Sequence, residues 1–146
     1  EIAQCLVGSE MCIRDRDYTV SYSANKGIGT AKVTVTGKGS YTGKITKTFK
    51  INPQGQSISV KGDKSGKKIA VTLAKHSSNS GYQVSYADNN GFKNSKSLWF
   101  SGNSKNKGTI KGLKSKKTYY VKARDYKTIG KTKVYGKWSA VKKVSI

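Results

Sequence analysis

The sequence predicts an all-β protein made of antiparallel strands. Apolar and polar residues alternate along much of its 146 residues, which is the period of strands with one buried face. Sixteen glycines supply turn residues, whereas proline occurs once. No stretch repeats apolar residues at the i, i+3, i+4, i+7 spacing of a helix. We therefore expect almost no helix.

The first three predicted strands lie in residues 17–52. Turn-forming segments at 25–27 and 37–40 separate them. About 36 residues bury too little surface to be stable alone. We expect a β-meander whose apolar face is left open or docks against something. The apolar positions of its strands are Tyr18, Val20 and Tyr22, then Ala31, Val33 and Val35, then Ile45, Phe49 and Ile51.

A second set of strands follows in residues 56–146, after a linker at 53–55 that contains the single proline. Its alternation predicts a seven-stranded antiparallel sandwich. The expected core is Ile69, Val71, Tyr82, Val84, Leu113, Tyr119 and Val121. The predicted strands are Ser57–Lys61, Lys68–Ala74, Gly81–Ala87, Ser97–Ser101, Gly108–Lys111, Tyr119–Tyr126 and Ala140–Ile146.

The run from Leu113 to Tyr119 places an apolar residue before a turn and a tyrosine at the start of a strand. This spacing resembles the tyrosine corner of immunoglobulin-like sandwiches. Residues 56–146 resemble a fibronectin type III domain of the lysine-rich kind found in surface proteins of Gram-positive bacteria. Residues 17–52 resemble the C-terminal half of a bacterial immunoglobulin-like repeat. The resemblance implies a module that spaces, displays or binds.

The first sixteen residues differ in composition from the remainder. They hold both cysteines and the only methionine but no lysine. Their run CLVGSEMCIRD resembles a translated sequencing adapter, so we expect residues 1–16 to be non-native and the native sequence to begin near Asp17. The alternative is a natural, disordered terminus. Residues 13–146 lack cysteine, which excludes a disulfide framework there.

Charge is the second strong feature of the sequence. It has 29 Lys and Arg against 7 Asp and Glu, a net charge of +22. Only three of these cations are arginine, the residue that reads guanine edges and grips phosphates with two hydrogen bonds. Lysines suit an anionic polymer with diffuse charge better than they suit a base sequence. The expected partner is therefore an anionic cell-wall polymer or glycan and not a specific nucleic-acid sequence. No run of 18 apolar residues predicts a membrane span.

Catalytic residue types are scarce, so the sequence predicts no enzyme, no metal site and no cofactor. His76 is the only histidine and lies in a loop-like segment without a nearby acid in the sequence, so we expect an inert residue of a surface loop. From residue 17 onward the acids are Asp17, Asp63, Asp88 and Asp125. The last three are expected at strand ends or turns, where aspartate is a common turn residue. A pair of carboxylates for glycosidic chemistry would need about 5–10 Å between them.

One constellation is a candidate ligand contact. Tyr120, Lys122 and Arg124 share the outward parity of one strand, and Lys143 of the last strand can lie beside them. Trp99 also has outward parity and is a candidate for stacking. The alternative is a solvated basic face without a ligand.

The sequence thus predicts a non-catalytic extracellular module of a bacterial cell-surface or secreted protein. Its expected role is that of a spacer or adhesion element, monomeric and attached to upstream domains of the same chain. The alternative is a carbohydrate-binding accessory module of a secreted hydrolase, which requires an exposed aromatic platform instead of charge. Nucleic-acid binding is disfavoured by the scarcity of arginine and the lack of a groove-reading helix.

Overall fold

A computed structural model describes residues 17–146. Strands make up 55% of these residues, and the described part contains no helix, which confirms the all-β prediction. Residues 1–16, both cysteines and the adapter hypothesis lie outside the described residues. The described chain divides into two compact units, residues 17–26 with 30–51 and residues 27–29 with 52–146.

The first unit is a three-stranded sheet in the order β1-β2-β3, built from Tyr18–Ser23, Gly29–Gly37 and Lys44–Ile51. Tyr22 pairs with Val33 in antiparallel register, so their apolar side chains share a face. The largest apolar side chains remain exposed, as expected for a meander with an open face. Their exposed fractions are 43% for Val20, 59% for Tyr22, 63% for Ile45 and 41% for Phe49.

The second unit contains two antiparallel sheets. One has the order β4-β5-β8; the other has the order β10-β9-β6-β7, with β11 also paired to β9. The long strand β9 therefore pairs with β6 along one edge and with β11 and then β10 along the other. The strands are β4 Ile58–Asp63, β5 Lys68–Leu73, β6 Gly81–Ala87, β7 Lys96–Ser101, β8 Lys107–Ile110, β9 Thr118–Ile129, β10 Thr132–Tyr135 and β11 Lys142–Ser145.

The core of the second unit is formed by inward residues of both sheets. All seven predicted core residues are buried in it. Strand β5 shows why: Ile69, Val71 and Leu73 are buried and the residues between them are exposed, as one-sided burial of a strand requires. The core is completed by six further residues, Ile58, Leu73, Phe100, Ile110, Ala123 and Ile146.

The tyrosine corner forms as the spacing predicts. The Tyr119 hydroxyl accepts a hydrogen bond from the backbone N–H of Lys114 at 2.9 Å. The backbone N–H of Leu113 donates to the carbonyl of Lys67 at 3.1 Å, which ties the β8–β9 loop to the β4–β5 turn. The side chains of Leu113 and Tyr119 are both buried, so the corner fixes one end of the core.

The strand count was underestimated. The second unit has eight strands because β9 continues to Ile129 and turns at Gly130 into β10, which the sequence analysis missed. Gly130 has a φ of 59°, the left-handed conformation that a tight hairpin favours. The final strand begins at Lys142 instead of Ala140. Strand β10 has four residues, of which one is a lysine, and its apolar alternation is too short to be recognised.

Leu113→Ala should lower the free energy of unfolding by about 2–5 kcal/mol, because it removes a large side chain that is 6% exposed in the core. Urea unfolding of the full chain measures this. Lys114→Ala, at an exposed neighbouring position that keeps the backbone N–H, is the control. A Leu113→Ala protein as stable as the wild type would contradict the described packing.

Asp63 should make stability fall in acid. Hydrogen bonds from the Gly66 N–H and the Ser65 hydroxyl, both 2.8 Å long, and the ammonium of Lys68 lower the pKa of Asp63 to about 2. A carboxylate whose folded pKa lies below its unfolded value stabilises the fold above about pH 4 and loses this effect as pH falls toward 2.

Asp63→Asn should therefore flatten the decline of the melting temperature between about pH 4 and pH 2. Ser65→Ala removes one of the two hydrogen bonds and should flatten it less. Identical profiles for Asp63→Asn and wild type would show that the turn does not bind the carboxylate as described.

Candidate binding surface

Strand β9 presents two different faces because its side chains alternate. Tyr119, Val121, Ala123 and Asp125 point inward and are buried. The outward positions are Tyr120, Lys122, Arg124 and Tyr126. One strand thus supplies part of the core and part of the outer surface of the five-stranded sheet.

The five predicted ligand-contact residues lie on this outer surface. Trp99, Gln83 and Arg124 form one row across β7, β6 and β9, because Gln83 pairs with both of the others. Lys143 is directly opposite Tyr120. The register therefore places Trp99, Tyr120, Lys122, Arg124 and Lys143 on a common face, while their contact with a ligand stays a prediction.

Two of these cations stack on aromatic rings. The Arg124 guanidinium lies 3.7 Å from the Tyr135 ring centroid and 4.3 Å from that of Trp138. The Lys122 ammonium lies 3.9 Å from the Phe92 centroid and 4.9 Å from that of Trp138. We call the five side chains Phe92, Lys122, Trp138, Arg124 and Tyr135 the cation–π ladder. These distances are those of attractive cation–π contacts.

A hydrogen bond fixes the arginine of the ladder. Arg124 Nε donates to Gln83 Oε1 at 2.8 Å, and Gln83 Nε2 donates to the Ser97 hydroxyl at 3.1 Å. Burial lowers the pKa of Arg124, while the nearby Tyr135 raises it. Arginine titrates far above neutral pH, so the guanidinium remains charged. Arg124 is thus engaged within the protein and is not simply a solvated surface charge.

Trp138 reaches the ladder from the segment between β10 and β11. Ser139 holds this segment against β9: its N–H donates to the Ala123 carbonyl at 2.7 Å, and its hydroxyl accepts from the Ala123 N–H at 3.0 Å. Trp138 is half-buried and contacts both ladder cations. The sequence indicated packing for Trp138 but not its cationic partners.

Trp99 belongs to a separate aromatic group at the β7 edge. Its ring meets Tyr126 edge-on at 5.6 Å between centroids and lies 6.4 Å from Tyr135. The Lys133 ammonium is 5.2 Å from the Trp99 centroid. With 42% of its surface exposed, Trp99 is the most accessible large ring of the sheet's outer face.

Asp125 corrects the sequence interpretation of the acids. It lies within β9 and is fully buried, so it is neither a strand-end nor a turn residue. Its carboxylate accepts hydrogen bonds from Gln56 Nε2 at 2.6 Å and Asn79 Nδ2 at 2.9 Å. The third partner is His76, whose Nδ1 is 2.6 Å from the carboxylate. This buried polar cluster joins the start of the unit, the β5–β6 loop and β9.

His76 was also misjudged, because its imidazole is mostly buried against Asp125 and is not a free surface group. The sequence did contain a sign of this contact. Tyr119, Val121 and Ala123 alternate as inward residues, and Asp125 is the next inward position of the same strand. Within residues 17–146 no hydroxyl is hydrogen-bonded to the imidazole. The pair therefore has the geometry of a structural contact and lacks an adjacent nucleophile.

The side chains that commonly bind metal ions are dispersed in residues 17–146. No group of three or more histidine, cysteine, aspartate or glutamate side chains there could hold a metal ion. The same residues include no helix long and apolar enough to cross a membrane.

The two packed antiparallel sheets and their tyrosine corner define an immunoglobulin-like β-sandwich of the fibronectin type III kind. The crystal structure of the chicken CNTN1 FN1-FN3 domains is similar, with a TM-score of 0.55 and 19% sequence identity. The similarity covers 83% of this chain and 44% of that chain, and at this identity it concerns the fold. No family model matches the sequence, and no curated relative does.

The ladder should contribute to stability. In a double-mutant cycle, Arg124→Met and Trp138→Leu should show a coupling energy of about 0.5–1 kcal/mol, because each change removes the same cation–π contact. Urea unfolding of the full chain measures the four stabilities.

Lys61→Met combined with Trp138→Leu is the control, since Lys61 lies in the other sheet and the two effects should add. Additive energies for Arg124→Met and Trp138→Leu would show that the stacked geometry does not stabilise the protein.

Proposed function

We propose that this chain is a non-catalytic extracellular spacer and adhesion module of a bacterial cell-surface or secreted protein, and that it holds anionic polymer through its lysines. The fold supports this proposal, since fibronectin type III modules typically serve display and binding and not catalysis. Function must nevertheless be argued from the surface, because one fold serves many functions.

Uncompensated positive charge carries the proposal. Residues 56–146 hold 21 Lys and Arg against three Asp, which gives a net charge of +18. Two of the three acids are already engaged, Asp125 in the buried polar cluster and Asp63 with Lys68 at 3.3 Å. Within residues 56–146, Lys68 with Asp63 is the described ion pair that involves a lysine. Nearly all the other lysines of the unit thus face solvent without a neutralising acid.

Such a surface binds a polyanion mainly because the counterions of the polyanion are released. Each neutralised phosphate contributes a slope of about −0.9 on duplex DNA, or about −0.7 on a single strand, to a plot of log affinity against log salt. The contacts are diffuse, since lysine is a mobile point charge. Adhesion to a wall polymer would need many weak contacts of this kind and no preformed pocket.

The salt dependence of binding tests the proposal. Affinity of the full chain for polyglycerol phosphate should fall at least tenfold between about 50 and 200 mM salt, because several counterions are released. Fluorescence anisotropy of a labelled polymer measures this. Binding that does not respond to salt, or no binding at low salt, would contradict the proposal.

Carbohydrate binding by an accessory module of a secreted hydrolase is the second candidate. The exposed ring of Trp99 favours it, since sugars stack on accessible aromatic faces. In that case Trp99→Ala or Tyr120→Ala should abolish binding to a neutral glycan, and salt should matter little. Retained binding to polyglycerol phosphate by Trp99→Ala would favour the polyanion instead.

A further inference from the structure

We propose that the polyanion site is one end of the second unit, formed by the β4–β5 turn and the β8–β9 loop, and that its ligand is a linear, base-free polymer of closely spaced phosphates. This inference rests on the proposed function and gives it a location. We call this end the lysine pole. It consists of the exposed residues Lys64, Lys67, Lys68, Lys111, Lys114, Lys116 and Lys117.

The fold brings these lysines together from two distant segments. Strands β5 and β8 are antiparallel, with Ile69 opposite Ile110, so the turn before β5 and the loop after β8 lie at the same end. The hydrogen bond from the Leu113 N–H to the Lys67 carbonyl joins the two segments directly. Six of the seven lysines thereby lie on two short, connected loops, and the seventh, Lys68, is the first residue of β5.

Little at the lysine pole opposes this charge. The acid next to the pole is Asp63. Its carboxylate pairs with Lys68 and accepts hydrogen bonds from Ser65 and Gly66 of the turn. No acid within residues 17–146 forms an ion pair with the other six lysines. By comparison, Lys122 and Arg124 on the outer face are engaged in the cation–π ladder. The pole therefore offers more uncommitted cations than the predicted outer-face site.

Two lysines of the pole have a left-handed backbone conformation. Lys67 has a φ of 46° and Lys116 a φ of 57°, the left-handed region that an L side chain adopts at a cost. In the same loop, Gly112 occupies a left-handed position with the residue that fits it best, at a φ of 70°. Two lysines thus stand where glycine would be less strained, so their backbone conformation and their charge can be tested separately.

The composition of the two loops indicates the ligand class. Neither the β4–β5 turn nor the β8–β9 loop contains an aromatic residue before Tyr119, so the pole offers nothing on which a base or sugar could stack. Lysine recognises phosphate as a point charge, without reading the group that carries it. Closely spaced phosphates release the most counterions when they are neutralised.

A charge-matched pair of variants tests the site. Lys64→Gln, Lys114→Gln and Lys117→Gln are combined in one full-length protein, and Lys75→Gln, Lys105→Gln and Lys131→Gln in another. The second set lies in exposed loops at the opposite end, and both sets lower the net charge equally. The probe is labelled inorganic polyphosphate of defined length.

The pole variant should lose at least about tenfold in affinity, and its log–log salt slope should become shallower by about 2, because three contacts are lost. The opposite-end variant should lose less than about threefold. Equal losses would overturn the pole as the site while leaving diffuse polyanion binding intact. Failure of the wild type to bind would overturn both the site and the proposed function.

Two single variants separate binding from folding. Lys67→Gly and Lys116→Gly relieve the left-handed strain, so each should melt at or above the wild-type temperature and still bind polyphosphate more weakly. Unchanged affinity in both would overturn the role of these lysines. The last comparison uses a single-stranded oligonucleotide with the same number of phosphates. If it binds more than about tenfold tighter than polyphosphate, the proposal that the ligand is free of bases is overturned.

Discussion

The second unit depends on the pairing of strand β9. Residues 120–126 of this strand pair with β6 on one side, while residues 118–121 pair with β11 and residues 126–129 with β10 on the other. Because side chains alternate along a strand, this pairing fixes at once which residues enter the core and which reach the outer face. A slip of one residue would place Lys122 and Arg124 inside and Val121 and Ala123 outside. The register of β9 is thus the constraint from which core and surface both follow.

The positively charged residues of the second unit fall into two groups, those on the outer face of β9 and those on loops and turns. Lys122 and Arg124 of β9 stack on aromatic rings that neighbouring segments supply, and Arg124 is also hydrogen-bonded to Gln83. The lysines of the loops and turns have no such partners. A polymer would meet the loop lysines first, because the ladder cations have already exchanged part of their hydration for aromatic faces. Lys122 and Arg124 of the predicted site are thus engaged within the protein, whereas their contact with a ligand stays a prediction.

Alternation predicted the strands and core of the second unit well, because one-sided burial leaves a period of two in the sequence. The tyrosine corner was predictable for a similar reason, since its spacing is local. The ladder was not, because Phe92 and Trp138 come from segments outside the strands and only the tertiary fold places them over Lys122 and Arg124.

The buried polar cluster shows where the interpretation of sequence by residue type failed. Asp125 was assigned to a turn because aspartate is common there, although its parity on β9 indicated burial. Its partners Gln56 and His76 lie 69 and 49 residues away, so no local pattern could identify them. Buried charge is tolerated here because three side chains contact the carboxylate.

Native-state hydrogen exchange of the full chain tests the central place of β9 most directly. Amides of β9 between Val121 and Tyr126, together with those of β6, should be among the slowest to exchange, because both strands are paired on two sides and cover the core. Amides of the edge strand β7 that face away from β6 should exchange much faster. Exchange of the β9 amides at the rate of the β7 edge would contradict the account.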